Sequence, residues 1–377
     1  MSKLAILLSH PVQYYSPLFV EAAKQLELKV FYAFQPNAQQ QGKEGFGNAF
    51  EWDLDLLSGY EYEFVDNVAK SPSSAYYAGC DTPSIGKRLT AFRATHVITF
   101  GWYLKMHRQA LRHCKTNGIP IAVRGDSQLD PQLPFWKKFL KKLYYPFFLE
   151  KYDAFLSVGK RNKAYLMHYG VPDKKIIFSP HAIDQDFWKM ERKHSTEKFR
   201  FIWVAKFISK KQPLDAIHAF KVLLDQHPEL KERVELLLVG SGPLLKETKE
   251  KARNVAQILF PGFKNQSELR AEYAKADCLL LTSDYGETWG LVVNEGFSVG
   301  IPAIVSKACG CSADLIDGRN GKTYNYDDID SLTNQMKTIL NWNIEEIQQA
   351  KNSIKQKNEV YNFTSIVKSF NRFVEEF

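Results

Sequence analysis

Short, uninterrupted apolar runs recur along the chain at intervals that few folds accommodate. In the first half they are KLAILLS (3–9), KVFYAF (29–34), THVITF (95–100), PIAVRG (120–125) and AFLSVG (154–159). In the second half they are RFIWVAK (200–206), VELLLVG (234–240), QILFPG (257–262), CLLLTS (278–283) and PAIVS (302–306). Runs of this length, without alternation and rich in β-branched residues, read as strands covered on both faces, as in a parallel sheet. With helical stretches between them, they predict an α/β chain of two Rossmann-like, doubly wound domains. The charged, apolar-poor stretch WKMERKHSTEK (188–198) places the boundary, giving domains at 1–190 and 191–377. A chain of 377 residues is long enough for each to bury its own core. The closing FTSIVKSFNRFVEEF has helical amphipathicity, and the first domain is one seat open to it.

Composition narrows the function classes. With 45% hydrophobic and 24% charged residues, wholesale disorder is excluded. Five cysteines, an odd number without metal-ligand spacing, suggest a reducing cytoplasm, and neither a secretory signal nor the ~20 apolar residues of a membrane span is expected. Charge is uneven: residues 1–190 carry 24 basic against 17 acidic side chains, and most of the excess lies in 101–190, with 16 against 7. That bias predicts an anionic or membrane-bound partner; nucleic acid is not expected among the partners. Its densest piece, WKKFLKKLYYPFFLEKY (136–152), has lysine pairs at helical spacing among aromatic residues. Two readings are open: a helix with its apolar face in the core, or one lying on an anionic membrane at the inner face of the plasma membrane.

Ligands of open α/β sheets bind beyond the carboxyl ends of the strands. In the second half those positions are Lys206, Gly240, Ser241, Gly242, Gly262 and Phe263, followed by SDYGETWGLVVNEGFSVGIP (283–302). A helix starting near Trp289 or Gly290 would offer free amides and a dipole to a phosphate. Glu295 would then stand about 7 to 8 Å along the axis, suited to a ribose diol. Glu287, in the glycine-flanked loop ahead of it, is free to accept from another polyol. Two sugars at either end of a diphosphate describe a nucleotide sugar. No GxGxxG follows a first strand, which argues against a dinucleotide oxidoreductase.

The stretch GETWGLVVNEGFSVGIPAIVS resembles the signature of the family 4 glycosyltransferases, retaining enzymes of the GT-B fold. WVAKFISKKQPLDAIHAF (203–220), LLVGSGP (237–243), LFPGFKNQSEL (259–269) and KIIFSPHAIDQDFW (175–188) are similar to further segments of that family. The resemblance implies a donor site made of Glu295, Thr288, Trp289, Gly290, Leu291, Gly240, Gly242, Gly262 and Phe263, with uridine as the favoured base. It assigns Lys206 and Lys211 to the diphosphate, although Ala205-Lys206 and Lys211-Gln212 stand where the family has Gly-Arg and Lys-Gly. His181-Ala182 replaces an Asn-Gly turn, a difference read here as structural.

In the first half the family's glycine-rich loop is replaced by SHPVQYYSP (9–17), and its histidine is missing from IPIAVRGDSQ. His10, past the first strand, Gln13, Arg124 and Trp102, which reads equally as core or as a sugar-stacking wall, are the expected acceptor or sugar contacts, with Asp126 the candidate base beside Lys206, Lys211 and Glu287 in the catalytic set. WDLD (52–55) spells Asp-x-Asp but sits in a hydrophobic alternation and is not taken as a metal site. The expected activity is metal- and cofactor-independent retaining transfer to a glycan, lipid-linked or small-molecule hydroxyl. A sugar-nucleotide epimerase of the same fold and a non-catalytic binding subunit are the alternatives.

Overall fold

The structure, a computed structural model, describes residues 2–377 apart from 44, 46, 48 and 193–197, so the link expected at 188–198 lies partly outside the described residues. Two compact units are formed, one from Met1–Pro36, Leu54–Asp184 and Asn362–Phe377, the other from Asn37–Asp53 and Gln185–Tyr361. The chain thus passes between units four times; the sequence reading placed a boundary at 190/191 and left open a return of the last helix to the first domain, but did not foresee residues 37–53 in the second unit.

Elements are numbered in chain order. The first unit holds a parallel sheet of seven strands: β1 (Lys3–Leu8), β2 (Glu27–Tyr32), β3 (Glu61–Phe64), β4 (His96–Phe100), β5 (Ile121–Gly125), β6 (Ala154–Ser157) and β7 (Ile176–Phe178). Their spatial order is β3-β2-β1-β4-β5-β6-β7. Its helices are α1 (Ser16–Ala23), α3 (Ile85–Phe92), α4 (Lys105–Asn117), α5 (Phe135–Leu149), α6 (Lys160–His168) and α15 (Phe363–Glu376). Successive side chains of a strand point to opposite faces. Accordingly Leu4, Ile6 and Leu8 join one buried cluster and Ala5 and Leu7 another. The Asn362 side chain caps α15 by accepting from the Ser365 amide at 2.8 Å, and Ile366, Val367, Phe370 and Phe373 enter the same cluster as Leu18 and Phe19 of α1.

The second unit holds six parallel strands, β8 (Phe199–Val204), β9 (Val234–Val239), β10 (Ile258–Gly262), β11 (Cys278–Leu281), β12 (Ala303–Ser306) and β13 (Gly321–Tyr324), in the order β10-β9-β8-β11-β12-β13. Around it stand α2 (Ala38–Lys43), α7 (Gln185–Trp188), α8 (Pro213–Gln226), α9 (Leu245–Ala252) and α10 (Gln266–Ala274). α11 (Val292–Val299), α12 (Ser312–Leu315), α13 (Ile329–Leu340) and α14 (Ile344–Val360) complete the unit. In each sheet the strand order reverses once, between β1 and β4 and between β8 and β11. Such switch points open the crevices where α/β proteins bind ligands.

One core residue carries an acid-sensitive cost. His107 of α4 is 2% exposed, and neither ring nitrogen has a hydrogen-bond partner. Burial, with the Arg108 charge nearby, pushes its pKa down from 6.5 to about 3. The folded chain therefore keeps a neutral ring where the unfolded chain takes a proton. The penalty is absent above pH 6.5 and grows as pH falls from 6.5 towards 3. At pH 5 it amounts to about 2 kcal/mol. Urea unfolding at pH 7.5 and pH 5 should show His107→Leu losing about 2 kcal/mol less than the parent across that interval; equal losses would refute the account.

Candidate active site

The second unit's crevice is built from three adjoining strand ends. β8 delivers Ala205, Lys206 and Phe207, and β9 delivers Gly240, Ser241 and Gly242. Backbone bonds lace them together: Ala205 N to Val239 O at 3.2 Å, Phe207 N to Ser241 O at 2.8 Å, and Gly240 N to Gly262 O at 2.9 Å. At Gly242, φ is +148° and an added Cβ would lie 2.7 Å from the Phe207 carbonyl oxygen and 2.8 Å from its nitrogen, so only glycine fits.

β11 supplies the other side of the crevice, where the Thr282 hydroxyl accepts from Trp203 Nε1 at 2.9 Å. The same hydroxyl lies 2.9 Å from the Lys211 carbonyl and 3.0 Å from that of Gln212, to which it donates. These two residues end the short 3₁₀ turn Ser209–Lys211, with Gln212 left-handed at φ +48° before Pro213 opens α8. The Lys211 backbone is thus fixed by a buried hydroxyl, and its ammonium forms an ion pair with Oε2 of Glu287. Exposures of 19% for the Lys211 side chain and 10% for that of Glu287 place the pair where solvent screens it weakly. Ser283 Oγ lies 3.4 Å from the same carboxylate oxygen.

The Glu287–Trp289 segment is held from below by the Cys309-Gly310-Cys311 turn. Gly310 N donates to Glu287 O at 2.9 Å, Cys311 N to Trp289 O at 3.2 Å, and Cys309 Sγ lies 3.5 Å from Ser283 O. A Cβ on Gly310 would collide with the Thr288 carbonyl. All five cysteines are buried free thiols. Trp289 is buried too, its indole donating to Asn294 Oδ1 at 3.0 Å, so it supports the loop from the interior.

Helix α11 begins at Val292, with Leu291 as N-cap, two or three residues later than expected. Gly290 turns into it at φ +106°. Glu295 therefore falls in the first turn, closer to the helix start than the sequence spacing suggested. An open carboxylate was expected there, but Glu295 is 1% exposed and its Oε2 accepts from the Tyr273 hydroxyl at 2.7 Å. Tyr273 is buried in turn and meets Trp188 edge to face at 5.8 Å.

Phe263, past β10, is half-buried against Phe50, with ring centroids 4.8 Å apart, and Phe50 meets Trp52 edge to face at 4.8 Å. Residues 50–53 are stapled to α10: the Asn265 side chain donates to Glu51 O at 2.7 Å, and the Ser267 amide and hydroxyl both donate to Asp53 Oδ2. Phe50 and Trp52 were missed in the sequence, since they lie in a stretch that reads as part of the other domain. Asp53 of the WDLD stretch is thereby a helix-start acceptor.

In the first unit a pocket of about 160 Å³ opens at the ends of β1, β4 and β5, lined by Ser9, Tyr15, Gly101, Arg124, Asp126 and His181 among others. Arg124 is 2% exposed and spends two of its nitrogens on the fold, with Nε to Ser179 Oγ at 3.3 Å and Nη2 to Pro180 O at 2.8 Å. Its charge is bordered by the Tyr15 and Phe100 rings, with centroids 5.7 and 5.4 Å away. His181 Nε2 stands 3.8 Å from Asp126 Oδ2. Burial pulls the His181 pKa down, Asp126 opposes that and Arg124 adds to it.

Of the residues expected to meet acceptor or sugar, Arg124 lines this pocket, together with the candidate base Asp126, whereas His10 and Gln13 lie outside its lining. His10 meets Ser9 Oγ at 2.9 Å and the Phe34 ring at 5.3 Å. Of the two readings open for Trp102, the structure gives the core: it is 9% exposed, parallel to Tyr165 at 6.3 Å, and forms no open stacking wall. His181, read as a structural replacement, is corrected in the other direction, into the pocket. Its position directly after the strand ending at Phe178 was the available signal.

Residues 184–357 match the family model described as "Glycosyl transferases group 1". D-inositol 3-phosphate glycosyltransferase of Corynebacterium efficiens is 30% identical over 173 residues, 41% of this chain and 40% of that protein. Sulfoquinovosyl transferase SQD2 of Arabidopsis thaliana is 30% identical over 128 residues, 33% of this chain and 24% of that protein. The chain spans less than half the length of these curated relatives. Among solved structures, Anabaena Alr3699/HepE in complex with UDP and glucose superposes with a TM-score of 0.73 at 14% identity, covering 100% of both chains. The fold is therefore GT-B, two Rossmann-like parallel-sheet units.

Thr282 is the joint on which the Lys211 turn hangs. Thr282→Val keeps the shape but strands the Trp203 N–H and removes the donor to two carbonyls. Chemical denaturation should show a loss of about 1–3 kcal/mol; a neutral variant would show that the turn is held by other means.

Proposed function

We propose that the protein is a retaining glycosyltransferase that takes a uridine-diphosphate sugar in the second unit and delivers the sugar to an acceptor hydroxyl. The observation that carries this is the Lys211–Glu287 ion pair, which joins the turn after β8 to the loop ahead of α11. It offers a fixed cation for a diphosphate and a fixed acceptor for sugar hydroxyls side by side. Lys206, half-buried at the end of β8, adds a second cation. The matched family model and the UDP and glucose found in the HepE complex support a nucleotide-sugar donor.

In this reading the diphosphate lies across the Gly240–Gly242 turn and the amides at the start of α11. The uracil stacks in the Phe50, Trp52 and Phe263 cluster, while the ribose reaches Glu295 beside Tyr273. The bond between the anomeric carbon and the phosphate oxygen breaks with its electron pair passing to that oxygen. Lys206, Lys211 and the amides take the developing charge. The acceptor oxygen bonds to the same face of the anomeric carbon, and its proton passes to the departing phosphate, so configuration is retained. Positive side chains do what a divalent ion does elsewhere, and no metal or cofactor is assigned.

We assign the first unit's Arg124–Asp126–His181 pocket to the acceptor, a lipid-linked, glycan or small-molecule hydroxyl, and place the protein on the cytoplasmic face of a membrane. Among the described residues no helix is long and apolar enough to cross one.

Thermal shift against a panel of nucleotide sugars should single out UDP-linked donors, with a rise set by affinity. Glu295→Gln should weaken that donor at least about tenfold, the loss of one buried charge-assisted hydrogen bond. Lys211→Ala should lower kcat by roughly 10²-fold, as loss of an oxyanion-type contact does. UDP release that requires acceptor fits transfer; release or isomerisation of the sugar without acceptor would favour an epimerase.

A further inference from the structure

Helix α5 is turned inside out. Of its fifteen residues, the buried ones are Phe148 and Leu149, at its carboxyl end. Phe135 is 82% exposed and Phe147 73%, while Trp136, Phe139, Leu140 and Leu143 each stand more than half open. At helical spacing these apolar side chains fill one half of the surface, and Lys137, Lys138, Lys141 and Lys142 fill the other. Two of the lysines lean on the body of the unit, Lys141 over the Tyr145 and Tyr165 rings and Lys138 with Nζ donating to Pro131 O at 2.8 Å, while Lys137 and Lys142 stay exposed beside the apolar half. The sequence reading that buries the apolar half in the core is therefore overturned for residues 135–147. No acidic residue lies within the helix.

Beside it, between α4 and α5, runs a groove of about 820 Å³ lined by Arg108, Arg112, Lys115, Lys151, Thr116 and Tyr144, among others. Arg108 is built into its floor, 3.5 Å from the centroid of Phe148, with Nη1 donating to Tyr144 OH at 3.1 Å. Lys115 is neutralised by Asp153 at 2.7 Å. Arg112 and Lys151 have no ion-pair partner among the described residues, which leaves the groove with a net positive charge next to an open apolar face.

We propose that α5 lies in the interfacial layer of an anionic membrane, apolar half inserted, and that the α4–α5 groove receives the phosphodiester of a lipid head group, held by Arg112 and Lys151 in front of Arg108. Charge selects the occupant: an apolar half flanked by lysines, with a cationic groove at its side, matches acyl chains beneath a layer of phosphates. A second copy of the chain would bring the same positive charge to the contact. The proposal deepens the membrane-facing transferase reading and rests on it for its purpose, while its test is independent of catalysis.

The test is co-sedimentation of the full chain with sucrose-loaded vesicles of phosphatidylcholine alone or with phosphatidylglycerol. Binding should be at least about tenfold stronger to the mixed vesicles and should fall steeply between about 0.1 and about 0.5 M salt. Phe139→Ser with Phe147→Ser should cost about tenfold or more on the mixed vesicles. Arg112→Glu with Lys151→Glu should cost about tenfold on mixed vesicles and nothing on neutral ones. Millimolar inorganic phosphate should leave binding in place, since a free phosphate lacks the apolar anchor. Donor-induced thermal shift should be unchanged in both variants; should the serine pair unfold, Lys137→Glu with Lys142→Glu gives the same readout. Absence of vesicle binding, equal binding to both vesicle types, indifference to the substitutions, or a solution dimer that buries α5 would each overturn the proposal. If donor binding fails while vesicle binding stands, the transferase reading falls alone.

Discussion

Parallel pairing is the constraint from which the rest of this structure follows. Each strand must leave the sheet at the same edge, and the chain must return across a face before the next begins. In the second unit this brings the ends of β8, β9, β10 and β11 together without a long loop. The amides of Ala205, Phe207 and Gly240 bond to the neighbouring strand or turn. The side chains that emerge there, Lys206 and Lys211, rest on a scaffold whose backbone polar groups are already satisfied. The buried Thr282 hydroxyl extends that scaffold by one layer, coupling the indole of Trp203 in the sheet to the turn that carries Lys211.

Electrostatics explains why the ion pair sits where it does. Removing Lys211 and Glu287 from water separately would cost far more than removing them together. The carboxylate is brought to the ammonium by a loop that Gly310 and Cys311 hold from beneath. Glu295 is handled differently, its charge met by a hydroxyl that is itself packed against Trp188. Two carboxylates eight positions apart thus serve in distinct environments, one beside a cation at the rim and one under cover.

What could be read in the sequence follows from which faces are buried. Strands covered on both sides, such as β1 (KLAILL) and β9 (VELLLV), are continuous apolar runs and stand out. β3 (EYEF) and β13 (GKTY) are short, largely polar edge strands that no apolar run marked, while the three-residue edge strand β7 (IIF) was named only through the family resemblance. In the candidate site the glycine turns and Glu287 were legible because strand ends and helix starts have local signals, whereas Lys211 was named through the family resemblance alone. Tyr15 was not legible, and His181 only by its place after a strand, because only the sheet brings residues so far apart in sequence to one pocket. Trp102 was left between core and site for the opposite reason: a position just past a strand end does not say which way a large ring turns, and here apolar packing turned it inward.

The multiple passages of the chain bear on how the molecule is made. The first unit's sheet is complete by Phe178, yet one face of it stays open until residues 363–376 arrive to cover Leu18, Phe19 and Ile177. During synthesis the whole second unit is therefore translated while the first still shows a greasy flank, and the second can close around Phe50–Asp53 long before its predecessor is finished. The unit that begins first is completed last, and the ribosome's pace through residues 185–361 sets how long that flank remains unguarded.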